Sequence, residues 1–410
     1  MAWLRVQSWI VGAVVGGLAL TACATRTSEP TTRGSLPPAT AISATETAKP
    51  SAAASSVPPS EPDGTEPFDA LSAIAFPSAT DGVLLTVHCD AGSMRCAVDT
   101  FASANGGRTW SAPTVVAEFT RTPDANPYAT IASKLTFVDT TTGYAYGPDL
   151  FRTRDGGRSW QRLAVSGSVE NVVQVGDHTW VVRSPCPPGS DDEKDCGSVV
   201  DVLDGDSLTP LAAQPAPSGA VTQLVAASPQ TVYSTVLIGE TFGLRMSADH
   251  GSHWAPLPLP CSPAQATGVP VSLATAGQRL WMVCSGGMGA GAERKQLFTS
   301  DDGGHTWHQP GDLEIDGYAD QVVAISATTA WRFGGRALAY VTTDGGRTWT
   351  PRLPDVFNGA FGPPNGWAFV GAEHLWLLDP IGGYTSDPHH LYVTDDGGSS
   401  WRTITLPRPR

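Results

Sequence analysis

A short turn motif recurs six times along the chain and constrains its fold more than any other feature. Each copy has a Ser or Thr, an Asp or Asn two residues later, one or two glycines, and a closing Trp. The copies occupy residues 103–110, 153–160, 247–254, 300–307, 342–349 and 394–401. Repetition at a period of about 40 to 50 residues indicates one supersecondary unit copied around a ring or along a stack.

The spacing of the closing tryptophans indicates seven units. Successive tryptophans are 50, 94, 53, 42 and 52 residues apart, so the second interval is about twice the others. One copy has therefore lost its signature between Trp160 and Trp254, and a degenerate turn at residues 203–207 stands in its place. Apolar strands around each turn bring every unit to four strands. We predict an all-β fold, a seven-bladed β-propeller of four-stranded antiparallel blades over residues 68–410.

The motif has a mechanical explanation. Gly-Gly permits the positive φ angles of a tight hairpin between the third and fourth strands, and the Asp accepts backbone N–H groups inside the loop. The Trp inserts between blades and buries a large area from one position. We assign a structural role to these acceptors and tryptophans, which are Asn105, Trp110, Asp155, Trp160, Asp249, Trp254, Asp302, Trp307, Asp344, Trp349, Asp396 and Trp401.

This motif, Ser/Thr-x-Asp-x-Gly-x-Thr-Trp, resembles the Asp-box, or bacterial neuraminidase repeat. That repeat is found in sialidases, in sortilin-type receptors, and in seven-bladed photosystem II assembly factors and their bacterial relatives. The resemblance spans nearly all of residues 68–410 and is highly specific for the propeller fold. It is weakly specific for function, because the same blades serve enzymes, receptors and assembly factors. Each copy is called a box below.

Residues 1–22 predict an export signal. Arg5 precedes an apolar run over residues 10–20, which is too short to span a membrane and ends in small residues. Leu20-Thr21-Ala22-Cys23 resembles the lipobox of bacterial lipoproteins, which implies cleavage before Cys23 and lipidation of its thiol. The alternative is a secreted protein with a chance cysteine. We expect an exported protein, lipid-anchored to the outer face of the cell membrane and touching the membrane through that anchor only.

Residues 23–67 predict a disordered tether. After Cys23 this segment is Thr, Ser, Pro and Ala with almost nothing to bury. The whole chain has a formal net charge of -14, which repels phosphate backbones and argues against nucleic-acid binding. We expect a monomer.

The cysteine count also suits an exported protein. Seven cysteines resolve into Cys23 and three sequence-local pairs. We predict three disulfides, each stabilising the fold by about 2 to 4 kcal/mol. The pairs are Cys89 with Cys96, Cys186 with Cys196, and Cys261 with Cys284. Free thiols or a zinc site are the alternatives, but the cysteines lack paired C-x-x-C spacing and no histidines alternate with them.

Propeller topology assigns the loops to two faces. The box face carries the turns between first and second strands and the boxes between third and fourth strands. The disulfide face carries the connections between second and third strands and between blades, which include all three cysteine pairs. The longest insertions also fall there, at residues 186–196, 285–293, 352–365 and 379–390. Long loops on a rigid scaffold usually carry recognition, so we predict that this face binds a protein or glycan partner.

An exo-sialidase-like glycoside hydrolase is the alternative function. The resemblance to sialidases implies three substrate-binding arginines, a Tyr and Glu nucleophilic pair, an Asp acid/base, and Arg-Ile-Pro or Arg-Leu-Pro before the first box. Arg352-Leu353-Pro354 instead follows the fifth visible box, and Arg108, Arg158 and Arg347 lie inside boxes. We assign no catalytic residue.

No metal or cofactor site is predicted. Asp387-Pro388-His389-His390 could offer ligands, but neighbouring strand residues point to opposite faces. The acidic run at residues 191–195 could hold calcium weakly, although a solvated hairpin tip explains it better. The glycines of residues 286–291 lack the Lys-Ser/Thr and helix start of a phosphate loop.

Overall fold

The computed structural model confirms a seven-bladed β-propeller. It describes residues 68–89, 95–120, 132–186, 196–262, 268–289, 292–311, 320–334, 338–354, 366–378 and 389–407. These residues form seven sheets, six of four strands and one of three, with strands in chain order within each sheet. Every pairing between neighbouring strands is antiparallel. Blades are numbered 1 to 7 along the chain, and strands within a blade are called a to d.

The strands of a blade are short, and consecutive strands always belong to the same blade or to neighbouring blades. Blades 1 to 4 contain β1 (Phe68–Ala75), β2 (Gly82–Cys89), β3 (Arg95–Ser103), β4 (Thr114–Thr120), β5 (Lys134–Phe137), β6 (Gly143–Tyr146), β7 (Leu150–Thr153), β8 (Gln161–Leu163), β9 (Ser168–Val175), β10 (His178–Ser184), β11 (Val199–Asp204), β12 (Ser207–Pro210), β13 (Ala220–Ala226), β14 (Val232–Ile238), β15 (Thr241–Ser247) and β16 (Ala255–Leu257). Blades 5 to 7 contain β17 (Val269–Ala276), β18 (Arg279–Gly289), β19 (Ala292–Ser300), β20 (Asp320–Ala324), β21 (Ala330–Gly334), β22 (Leu338–Thr342), β23 (Thr350–Pro351), β24 (Trp367–Val370), β25 (His374–Leu378), β26 (His390–Thr394) and β27 (Arg402–Thr405).

Blade 5 is the three-stranded sheet, and its fourth strand is reduced to a single bridge. Thr299 and His308 exchange backbone hydrogen bonds of 2.9 and 3.0 Å. The next hydrogen-bonded pair would join Leu297 to Pro310, two residues further along each strand. Proline has no N–H to donate, so the pairing ends there.

The boxes connect strands c and d and share one hydrogen-bond pattern. In the box of blade 6, Thr342 Oγ1 donates to Asp344 Oδ1 at 2.8 Å and accepts from Gly346 N at 3.0 Å. Asp344 also accepts from the backbone N and the Oγ1 of Thr348, at 3.0 and 2.6 Å. Gly345 and Gly346 have φ angles of 78° and 90°, a region that glycine enters without strain.

The box of blade 4 has histidines at two positions where other boxes have glycine or a hydroxyl residue. His250 takes a φ angle of 55° in place of the first glycine. His253 Nδ1 lies 2.6 Å from Asp249 Oδ2, where the other boxes place a Ser or Thr hydroxyl. The acceptor role of the aspartate is therefore kept in this copy.

The box of each blade packs against the preceding blade. In the boxes of blades 4, 6 and 7 the second glycine lies against the b-strand tryptophan of the preceding blade, as Gly346 does against Trp281 and Gly398 against Trp331. The b-strand tryptophans of blades 3, 5, 6 and 7 are at most 2% exposed, and they are Trp180, Trp281, Trp331 and Trp376. The core is therefore a ring of junctions between blades.

The ring closes between blades 1 and 7 through side chains. Each of these blades consists of four consecutive strands, so among the described residues neither chain end supplies a strand to the other's blade. The rings of Phe76 and Trp376 stack with centroids 3.9 Å apart and planes 4° from parallel. Trp376 Nε1 donates to the carbonyl oxygen of Gly106 at 3.2 Å, and Leu84 and Leu391 complete the cluster.

Blade 3 has an ion-pair network in place of an intact box. The buried Arg152 of blade 2 donates to Asp206 Oδ1 and to the carbonyl oxygen of Gly205. Gln161 Nε2 donates to Asp206 Oδ2 at 3.0 Å, and Arg154 lies 3.8 Å from the same carboxylate. The degenerate turn is thus tied to the preceding blade by charge rather than by an indole ring.

The box hydrogen bonds predict a loss of stability in acid. The hydroxyl of Thr348 lowers the pKa of Asp344 to about 2, and the hydroxyl of Ser400 does the same for Asp396, with backbone N–H groups adding to both. Since the ordinary value is 3.8, this stabilisation is complete above about pH 4 and is lost as the pH falls to about 2. Denaturant unfolding midpoints measured between about pH 4 and pH 2 test this predicted loss of stability.

A matched control follows from the box of blade 1, which carries Asn105. Its Oδ1 accepts from the backbone N of Thr109 at 2.9 Å without a titrating group. The double variant Asp344→Asn with Asp396→Asn should therefore fold and show a flatter dependence of the midpoint on pH. An unchanged pH profile in that variant would contradict the assignment to these carboxylates.

Candidate binding face

The two faces of the ring differ in how their connections are built. On the box face of five blades, the turn between strands a and b accepts a backbone hydrogen bond from the box of the same blade. These bonds are 2.8 to 3.2 Å long and run from Gly106 to Thr80, Gly156 to Thr141, His250 to Gln230, Gly345 to Thr328, and Gly397 to Glu373. The box face is therefore a set of paired short turns, and its longest connection is residues 104–113.

The predicted cysteine pairs form disulfides at the opposite ends of the strands. Cys89 and Cys96 lie directly opposite each other on β2 and β3, with Cα atoms 4.0 Å apart. Cys186 and Cys196 close the connection between β10 and β11. All three disulfides belong to the face predicted from topology.

The third disulfide needs one correction to its expected position. Cys261 follows β16 and bonds to Cys284, with Cα atoms 5.3 Å apart. The apolar pattern of residues 280–284 predicts a strand that ends at Cys284, but β18 continues to Gly289 because it pairs with β19 over that length. The sulfur bridge is therefore anchored inside a sheet, and both cysteines are at most 4% exposed.

The longest connections of the chain also lie on the disulfide face. Residues 121–133 join β4 to β5, residues 185–198 join β10 to β11, and residues 352–366 join β23 to β24. Residues 379–389, which join β25 to β26, lie there too. Much of this sequence, including the acidic run at 191–195 and Asp387-Pro388, lies outside the described residues.

Strand a of one blade lies next to strand a of the next, so these strands surround the central channel. At the disulfide-face end of β5, Lys134 donates from Nζ to the carbonyl oxygen of Glu170 at 2.8 Å. The residue as a whole is exposed, but its ammonium group lies against Glu170 and Tyr146. Desolvation lowers the pKa of Lys134, and the charge of Glu170 acts in the opposite direction. Tyr146 lies beneath, with its ring centroid 6.0 Å from Nζ. A lysine ammonium with a carboxylate nearby therefore lies beside the channel.

A β-bulge recurs at one level of the inner strands of four blades. The pairing between strands a and b skips one residue in each, and the skipped residues are Ser72, Glu170, Thr222 and Val271. Bulges turn backbone groups out of the regular ladder. Two of these carbonyl oxygens accept a side-chain hydrogen bond from the neighbouring blade. Gln223 Nε2 donates to the carbonyl oxygen of Val271 at 3.0 Å, and Lys134 Nζ donates to that of Glu170. The inner strands of blades 2 and 3, and of 4 and 5, are joined in this way.

An aromatic group lies on blades 6 and 7. Trp367, half-buried on β24, stacks on Phe333 of β21 with ring centroids 4.8 Å apart. Phe369 lies 5.7 Å from Phe333 between ring centroids. Sequence reasoning did not single out Trp367, although its position at the start of an inner strand next to a long insertion is a usable signal.

The arginines of the boxes are committed to their own turns. Arg108, Arg158 and Arg347 each donate from Nη1 to the carbonyl oxygen of the acceptor residue of their box, at 2.8 to 3.1 Å. Arg352 follows β23 and donates its backbone N–H to Ala339, so the Arg-Leu-Pro sequence belongs to blade 6. Among the described residues, no group of three or more His, Cys, Asp or Glu side chains could hold a metal ion.

The disulfides suggest an extracytoplasmic protein, because such bonds persist in oxidising compartments. No helix in the described part of the chain has the length and apolar character needed to cross a membrane. The export signal of residues 1–22, Cys23 and the tether of residues 23–67 lie outside that part.

Comparison with known proteins agrees with the fold. A family model described as the BNR/Asp-box repeat matches residues 340–351, which contain the whole box of blade 6. No curated protein gives a significant sequence match.

Several solved propeller structures resemble the chain. YCF48 from Cyanidioschyzon merolae is 16% identical with a TM-score of 0.49, covering 83% of this chain and 98% of that one. A YCF48 structure with a bound D1 peptide is 17% identical with a TM-score of 0.48, covering 66% and 80%. The GH74 enzyme of Niastella koreensis is 14% identical with a TM-score of 0.41, covering 82% and 66%. At these identities the similarities carry no argument about function.

Proposed function

We propose that this Asp-box propeller is a non-catalytic binding or assembly scaffold whose disulfide face holds a protein or glycan partner. The contrast between the two faces carries the proposal. On the box face, carboxylates such as Asp344 accept hydrogen bonds from their own turn, which leaves them little capacity for a ligand. The disulfide face has the longest connections, held on a rigid ring, and such loops are where binding sites usually lie.

We further propose that the scaffold is lipid-anchored outside the cytoplasm. The lipobox-like residues 20–23 support this, as do the three disulfides. A flexible tether of residues 23–67 spans on the order of 35 Å root-mean-square, which places the propeller clear of the bilayer. The partner is therefore sought among components of the cell envelope.

The partner class follows from the groups at the inner strands. The half-buried Trp367, which stacks on the buried Phe333, offers part of an indole ring, and Lys134 and Glu170 offer opposite charges. Aromatic surface beside hydrogen-bonding groups suits a protein segment or a glycan. The net charge of -14 disfavours an anionic polymer.

A pair of matched charge reversals tests the binding face. Glu240 lies exposed in the turn between β14 and β15 on the disulfide face, and Glu373 lies exposed in a turn on the box face. In crosslinking pull-downs from the native envelope, Glu240→Lys should reduce partner capture by about tenfold while Glu373→Lys leaves it unchanged. The reverse pattern would place binding on the box face.

The hydrolase alternative is tested with a fluorogenic sialoside. We expect no turnover, because Arg108, Arg158 and Arg347 are held in their own boxes. If turnover of the sialoside stays with the wild-type protein through further purification, the scaffold proposal is wrong and the protein is a sialidase-like enzyme.

A further inference from the structure

Blade 3 has a leucine in the position that tryptophan takes in the other six blades. The b-strand tryptophan pairs with Val202 in blade 3, and in blade 6 it pairs with Val341. The next residue of strand c is Leu203 in one blade and the box Thr342 in the other. Leu203 pairs with Leu208, so Leu208 is the register equivalent of the box tryptophan.

A shallow groove of about 330 Å³ lies beside Leu208, between blades 2 and 3. Its apolar walls are Ala164 and Val165, which follow strand d of blade 2, and Leu208 of blade 3. The box of an intact blade packs on the preceding blade, as Gly398 does on Trp331. In blade 3 the turn between β11 and β12 is only residues 205–206, so no second box glycine packs there on blade 2.

The groove also keeps a hydrogen-bond acceptor in the place that suits an indole. In blade 5, Trp307 Nε1 donates to the carbonyl oxygen of Pro258 at 2.9 Å, and Pro258 follows Trp254 by four residues. Ala164 follows Trp160 by four residues and lines the groove. Within the part of the chain that the structure describes, no group donates a hydrogen bond to the Ala164 carbonyl oxygen.

The charged groups at the rim are already paired. Arg183 Nε donates to Asp201 at 2.6 Å, and Asp206 is bound by Arg152 and Gln161. The groove therefore offers no free charge to a ligand, and its complementarity is to an apolar ring with one N–H donor.

We propose that this groove between blades 2 and 3 is a docking site for an indole side chain presented by an extended segment of a protein partner. The partner would supply the seventh tryptophan of the ring. The inference goes beyond the binding role of the disulfide face, because the groove lies against the outer strands and is formed without the long connections. The test below also distinguishes two other occupants, a glycan and an aliphatic side chain, and binding of either in preference to the indole would overturn the proposal.

Titration of the full-length protein with N-acetyl-tryptophanamide, followed by saturation-transfer NMR, tests the proposal. We expect its affinity to exceed that of N-acetyl-leucinamide by about tenfold. Leu208→Trp supplies the ring from the chain itself and should remove this binding. Thr403→Trp adds an indole at an exposed position of β27, away from the groove, and should leave binding unchanged.

A second readout does not depend on the ligand. Because Leu208→Trp restores the packing of an intact blade, it should raise the melting temperature by about 2 to 4 °C. If that variant does not fold, Ala164→Trp at an exposed position blocks the groove from the other wall. Equal affinity for the two amides, tighter binding of a sugar, or unchanged binding in the filled variants overturns the proposal.

Discussion

Replacing Trp376 with alanine should lower the free energy of unfolding by about 3 to 5 kcal/mol, as expected for removal of a large buried side chain. The indole is 0% exposed, stacks on Phe76 and donates a hydrogen bond to Gly106. No strand pairing joins blades 1 and 7 among the described residues, so these side chains provide the closure. The loss of stability in this variant should therefore be accompanied by loosening of the junction between the first and last blades.

Two measurements separate closure from ordinary core packing. Denaturant unfolding gives the total loss, and amide hydrogen exchange of β1 reports the junction. Trp331→Ala is the matched control, because Trp331 is 1% exposed at the same register position in blade 6. It should destabilise the protein without a specific rise in exchange at β1. Equal exchange at β1 in both variants would argue against closure by Trp376.

Removing the disulfide between Cys261 and Cys284 should lower the free energy of unfolding by about 2 to 5 kcal/mol. The bridge spans 23 residues and lies in a core cluster with Leu273 and Met282. It ties the connection between blades 4 and 5 to the interior of a sheet. The double variant Cys261→Ala with Cys284→Ala therefore loses both the chain constraint and buried packing.

The bridge between Cys186 and Cys196 is the natural control. It spans 10 residues, and both cysteines are partly exposed. A shorter loop constrains the unfolded chain less, so its double alanine variant should lose less stability. Thermal unfolding of the two double variants side by side makes the comparison. A larger loss of stability on removal of the Cys186–Cys196 bridge would contradict the expectation that the longer and more buried bridge stabilises the fold more.

Blade number and loop placement could be predicted because both depend on local sequence. A box is a hairpin of eight residues whose glycines, aspartate and tryptophan have fixed roles, so its recurrence counts blades directly. Once the box is placed between strands c and d, propeller topology assigns every other connection to a face. Two of the cysteine pairs, Cys89 with Cys96 and Cys186 with Cys196, are close enough in sequence for each to be placed in a single connection.

The remaining features depend on contacts between residues far apart in sequence. Trp376 and Gly106 are 270 residues apart, and no pattern in either segment indicates that they meet. The bulge at Glu170 is defined only by its pairing with the neighbouring strand. The replacement of a tryptophan by Leu208 becomes visible only when the strand registers of blades 3 and 6 are compared. Side-chain packing and register are properties of the assembled ring.

The closed ring is tested most directly by a crosslink across the junction of blades 1 and 7. A Cβ built at Gly366 lies 3.6 Å from Cγ2 and 3.7 Å from the backbone N of Ile74, so the two positions are in contact across this junction. In the double variant Ile74→Cys with Gly366→Cys, mass spectrometry of the oxidised monomer should find peptides joined through these two positions. Absence of that link, or a link only between separate molecules, would contradict a ring closed by its first and last blades.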